Sequence, residues 1–234
     1  AIHSKEFVAG EPLLDKPAAH FVKYPERNRM GQYMAENGMV SVTFDPISIG
    51  ETAMRTEEGD HGCRCRDEMI YGLLEYGWNY PGLSTFQALC FLDFCKTLPF
   101  VDVTRIAVSA HSLGTETALP LAVICDDIKA VVFNDFLSNQ RERYVAITET
   151  DVQFANKGKD WPHVLPGKFR YFGYEDLCAS LAPRYLCLNE GGLESHLDKV
   201  RRAYATVGAS DHLLVSYYPK YADPHARPHL QETM

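Results

Sequence analysis

Ser112 carries the strongest chemical signal in this sequence. It stands in Arg105-Ile-Ala-Val-Ser-Ala-His-Ser-Leu-Gly-Thr-Glu116, where a short β-branched run stops at a serine between small residues and a helical pattern follows at once. A pivot of this kind reads as a nucleophile elbow, in which a tight strand-to-helix turn leaves the hydroxyl projecting. The usual form is Gly-x-Ser-x-Gly. Here Ala110 replaces the first glycine, which adds one methyl at the crossing of strand and helix and gives up glycine's tolerance of positive φ. A serine so placed also has a plainer use, as a helix N-cap. The strand before it, the helix after it and small residues on both flanks occur together, and that combination favours the nucleophile. Its hydroxyl is a poor nucleophile at neutral pH, so acyl transfer needs a base to take the proton and an acid to orient the base.

The elbow segment resembles the α/β-hydrolase superfamily. Further stretches are similar to the acetyl xylan esterase and dienelactone hydrolase side of it: Leu181-Ala-Pro-Arg184 before an apolar run, Glu190-Gly-Gly-Leu-Glu194, Val200-Arg-Arg-Ala-Tyr204 and Tyr218-Pro-Lys-Tyr-Ala-Asp-Pro224. The resemblance runs over most of the chain. It implies the order nucleophile, acid, histidine. The acid then falls in the loop after the strand that follows Ala182-Pro-Arg184, with Glu194 as first choice and Asp135, past the preceding strand, as runner-up. Glu194 has a plain alternative as a carboxylate favoured by a helix N-terminus. The base falls after the last strand, at His225 or else His229, or beyond Met234. The oxyanion hole implied by the fold uses the backbone N–H of Leu113 and one near His3, in Ile2-His-Ser-Lys5. His163 is a candidate lining residue, and Glu116, one turn past Ser112, either faces the site or caps the turn.

The activity so implied is that of a serine carboxylic-ester hydrolase, acting on short acyl esters, acetyl on a carbohydrate among them, through an acyl-enzyme. This chemistry requires no cofactor. Dienelactone hydrolases proper use a cysteine nucleophile, so Ser112 argues against their reaction. A prolyl-oligopeptidase-type peptidase shares the triad but normally carries a large extra domain. The alternative of another class is a non-catalytic relative, a binding or scaffold protein that keeps the elbow without a working base or oxyanion loop.

The elements that must position these residues follow from periodicity and breakers. Apolar spacing predicts an amphipathic helix over 25–37 ended by Asn37-Gly38, then a buried strand over 39–44 and a turn-rich loop over 47–60. A helix is expected over 67–76, a break at Trp78-Asn-Tyr-Pro-Gly82, and a helix from Ser84 with Ser84 and Gln87 at capping-box spacing and Phe86, Leu89, Cys90 and Cys95 on its buried side. The elbow strand (105–110) precedes a helix over 113–125 with Pro120 inside it as a kink. Strands at 128–134, 184–189 and 213–218 alternate with helices at 174–181 and along the stripe Leu197, Val200, Tyr204, Val207, stopped by Gly208. Alternation of this kind predicts an α/β fold, a mainly parallel central sheet with helices on both faces and the elbow strand near its centre. The pattern is that of an α/β-hydrolase fold shortened at both ends, in one domain (1–234) with a cap-like excursion at about 137–174, where periodicity fades.

Composition bounds the partners. At 234 residues and 46% hydrophobic content, the chain can bury one sizeable core. A formal charge of −8 without a clustered basic face argues against nucleic acid, and no apolar run is long enough to span a membrane. The expected partner is a small-molecule or carbohydrate ester. The cysteine count is odd at 7, and Cys90, Cys95, Cys125, Cys178 and Cys187 lie in apolar surroundings, as expected of buried free thiols. Cys63-Arg-Cys65 lacks a second ligand pair, so no metal site is expected. Unpaired thiols lean toward the cytoplasm, with secretion left open for a chain that begins at Ala1.

Overall fold

The computed structural model describes residues 30–44, 46–48, 63–134, 164–189 and 194–216. In chain order its helices and strands are α1 (Met30–Glu36), α2 (Cys63–Glu75), α3 (Tyr80–Lys96), β1 (Ile106–His111), α4 (Thr115–Ile124), β2 (Ile128–Asn134), α5 (Tyr174–Ser180), β3 (Tyr185–Asn189), α6 (Glu194–Thr206) and β4 (Leu213–Ser216). The strands form one sheet in the order β1-β2-β3-β4, and every neighbouring pair is parallel. Parallel neighbours cannot be joined by a hairpin, so each connection must cross over. Helices α4, α5 and α6 lie in those connections, and α3, α4, α5 and α6 pack side by side in that order. The α/β reading of the sequence holds, except that among the described strands the elbow strand β1 stands at one end of the sheet and not near its centre.

Strand burial alternates. Val108, Ala110, Val131, Phe133, Leu186 and Leu188 are buried, while Ala107 and Tyr185 on the intervening positions are exposed. The period of two puts the buried set on one face of the sheet. There it meets Leu119, Ala122, Cys178, Leu197, Val200 and Tyr204 from the helices in a single core. The α6 stripe is therefore as the sequence implies, except that Val207 lies past the helix end and is exposed. Gly208, at φ +71°, takes the left-handed conformation that lets the chain turn back, and Ala209 N–H closes the turn on the Tyr204 carbonyl at 2.9 Å.

Helix α3 starts earlier than its spacing suggests. Asn79 is the N-cap, its side-chain oxygen accepting from Gly82 N–H at 2.7 Å, and a proline in the first turn costs nothing because no donor is required there. Ser84 is thus interior rather than a cap. It is buried, its hydroxyl donates to the Pro81 carbonyl at 3.1 Å, and it lies 2.8 Å from the Thr117 hydroxyl of α4. Gln87, the expected capping partner, instead accepts from Ile47 N–H at 2.8 Å and so ties the 46–48 turn to α3. Phe86 and Cys90 face outward, whereas Thr85, Ala88, Leu92 and Cys95 make the buried side. The strand expected at 39–44 is also corrected. Met39 and Val40 are exposed, only Phe44 makes a bridge, and its ring packs on Phe91 with centroids 4.6 Å apart.

Arg184 joins three parts of the core. Its guanidinium donates through Nη1 to the carbonyls of Ala122 (2.7 Å), Cys125 (3.0 Å) and Ile128 (3.2 Å), at the end of α4 and the start of β2. A helix C-terminus leaves carbonyls without intrahelical donors, and a cation there also meets the negative end of the helix dipole. The Arg184 carbonyl in turn accepts from the hydroxyl of fully buried Tyr204 at 2.7 Å. One residue thereby fixes the far end of the helix that begins beside Ser112.

Candidate active site

The Ser112 segment has the backbone of an elbow. Strand β1 ends at His111, Ser112–Gly114 make one tight turn of helix, and α4 continues without a break from Thr115. Ala110, the substitute for the usual glycine, is 0% exposed and is paired with Phe133 in the sheet, so the position demands a small side chain. Leu113 and Gly114 are buried beside it. The Leu113 N–H lies in the first turn of this helical run, where backbone donors point at incoming negative charge. Pro120 sits inside α4, which runs through it to Ile124.

The other sequence-derived residues are placed as follows. Glu194 is the first residue of α6, the helix that follows β3. Ser112 and Glu194 thus belong to the same edge of the sheet, where parallel strands end, and β1 and β3 stand two strand spacings apart, roughly 10 Å. Asp135, His163, His225, His229 and His3 lie outside the described residues.

Between α3, α4 and the stretch leading into α5 is a cavity of about 280 Å³. Its walls are largely apolar: Pro81 from α3, Pro120, Val123 and Ile124 from α4, and Leu165 and Phe172 from the stretch before α5. Two charged side chains also line it, Glu116 at 7% exposure and Lys168 at 5%. The Lys168 ammonium donates to the Tyr174 hydroxyl at 3.1 Å and lies 4.4 Å from the centre of the same ring. Desolvation lowers the Lys168 pKa, and the Glu116 carboxylate opposes that shift. Glu116 and the buried Lys168 therefore line the same cavity, and their charges attract.

These features agree with the relatives. The model of the abhydrolase family matches residues 5–233, nearly the whole sequence. The chain belongs to the abhydrolase (α/β-hydrolase) family. Among solved structures, this abhydrolase is similar to a protein of Bacteroides fragilis described as a putative acetyl xylan esterase, with 32% identity and a TM-score of 0.73. The match covers 88% of this chain and 53% of the Bacteroides chain, so the sequence spans about half the length of that relative. No curated protein matches it.

Lys168 and Tyr174 line this cavity, and sequence reasoning singled out neither. Pro166-Gly167-Lys168 carries no chemical motif, and lysine is ordinarily exposed, so nothing local marks this one as buried. The burial gives a prediction. Lys168→Met should destabilise the protein by about 2 kcal/mol, because it leaves the Glu116 charge buried without that cation, and adding Glu116→Gln should recover part of that loss. Urea unfolding of the two single variants and the double variant checks this; strict additivity would refute the coupling.

Thiol burial departs from expectation at Cys90 and, less, at half-buried Cys187. Cys95, Cys125 and Cys178 are buried, and desolvation raises the pKa of each, most strongly for fully buried Cys178. Cys90 is exposed on the outer side of α3. Iodoacetamide under native conditions should therefore alkylate Cys90 well before those three, a contrast that unfolding should abolish and peptide mapping reads directly. No described helix is long and apolar enough to cross a membrane.

Proposed function

We propose that this abhydrolase is a serine carboxylic-ester hydrolase acting on short acyl esters. The observation that carries the reading is the elbow itself: Ser112 at the pivot between β1 and α4, behind a fully buried Ala110, in a chain matched by the family model over nearly its whole length. The name of the Bacteroides relative suggests acetyl groups on a carbohydrate as one such substrate.

The reaction requires Ser112 Oγ to attack the ester carbonyl carbon as its proton passes to a histidine, for which His225 is the candidate. The tetrahedral oxyanion is met by Leu113 N–H and a second donor, proposed near His3. Collapse breaks the carbon–oxygen bond to the alcohol, which leaves with the proton from the histidine. Water then attacks the acyl-serine, giving its proton to the same base, and the free acid departs as Ser112 recovers its hydrogen. Glu194 is the proposed acid that orients the base. The test is intact mass before and after a fluorophosphonate, followed by peptide mapping, since the reagent labels an activated serine. One adduct, on Ser112, is expected; no adduct on folded protein would overturn the reading.

A further inference from the structure

We infer that the cavity along α4 receives the hydrocarbon chain of the substrate's acyl group, so that the enzyme accepts alkyl acyl groups longer than acetyl. The inference rests on the esterase reading and deepens it. Position is the first argument. Helices α3, α4 and α5 precede or follow parallel strands, and each begins at the sheet edge where Ser112 stands; Pro81, Glu116 and Tyr174, from their first turns, all line the cavity. The 2.8 Å contact between Ser84 and Thr117 confirms that the starts of α3 and α4 are level. On α4 the lining begins at Glu116, one turn past Ser112, and continues through Pro120 and Val123 to Ile124. That is a span of nine residues, roughly 12 Å along the helix.

Chemistry is the second argument. The polar groups, Glu116, Lys168 and the Tyr174 hydroxyl, are set against the apolar surfaces of Pro120, Val123, Leu165 and Leu177. A molecule with a polar reacting end and a saturated tail matches that division. A site for acetyl alone has no use for about 280 Å³ of apolar space. A sugar is a poor occupant, because its hydroxyls would lose water against walls that return few hydrogen bonds.

The test uses the whole chain and the straight-chain carboxylates from acetate to octanoate, the product acids of the proposed reaction. Binding is measured by calorimetry, alongside hydrolysis of the matching p-nitrophenyl esters. Affinity should rise with length by up to roughly fourfold for each methylene that enters the cavity. Val123→Phe, which fills the space, should lower hexanoate affinity at least tenfold while changing acetate affinity much less. A flat affinity series in the unaltered protein overturns the cavity assignment even if acetyl esters are hydrolysed. So does a length dependence that Val123→Phe leaves intact. A rising series abolished by Val123→Phe, but without turnover of any ester, overturns the esterase reading and with it the identity of the bound chain as substrate. The unaltered protein's own series decides the matter should Val123→Phe fail to fold.

Discussion

Ser112→Ala should lower kcat for p-nitrophenyl acetate by at least about three orders of magnitude while leaving the unfolding free energy from urea titration within about 0.5 kcal/mol of the parent. The kinetic size follows from removing the nucleophile of a triad, after which only binding and oxyanion stabilisation remain. The small stability effect follows from geometry. The turn after β1 is held by its neighbours, since Ala110, Leu113 and Gly114 are all buried and α4 runs on from Thr115. If Ser112 were only an N-cap, the pattern would reverse, with stability falling by about 1 kcal/mol and no turnover to lose. Glu194→Gln extends the same measurement to the acid. If Glu194 orients the histidine, kcat falls by roughly two orders of magnitude or more; if it is only a carboxylate at the start of α6, kcat holds and Asp135 becomes the residue to replace.

The largest loss of stability should come from Arg184→Met, about 3 kcal/mol, or roughly 10 °C in Tm for a chain of this size. Three carbonyls, of Ala122, Cys125 and Ile128, accept from its guanidinium, and that of Cys125 also accepts from Ile128 N–H at 3.2 Å. Methionine keeps much of the packing volume and removes the charged Nη1 that all three carbonyls share, leaving carbonyls at the end of α4 and the start of β2 without it. Arg184→Lys should recover only part, because an ammonium on a flexible stem loses the fixed placement of Nη1 among the three carbonyls and the Nε bond to the Leu181 carbonyl. Thermal unfolding of the three proteins in the same buffer is the check. Loss smaller than about 1 kcal/mol for Arg184→Met would mean that water replaces the guanidinium at no cost.

The match to the abhydrolase family and the prediction for Arg184 meet in Leu181-Ala-Pro-Arg184. The sequence offers this stretch only as a likeness. In the structure the same arginine locks the end of the elbow helix while its carbonyl holds Tyr204 of α6. A residue far from the proposed chemistry thus fixes the orientation of the helix that carries Ser112's turn.

By itself the sequence determined the order of strands and helices after residue 105, the elbow at Ser112 and the buried stripe Leu197, Val200 and Tyr204. These depend on local periodicity, on turn chemistry at Gly208 and on the small side chains around the serine, all properties of neighbouring residues. Only the tertiary structure decided that Phe86 and Cys90 face outward, that Ser84 meets Thr117, and that Gln87 holds Ile47 rather than capping a helix. It also decided that Lys168 is buried in the same cavity wall as Glu116 and that Arg184 reaches back by some sixty positions to the carbonyls it satisfies. The physical reason is the same in each case. A polar side chain's burial is set by the partner across the interface, and no spacing along the chain names a partner that distant.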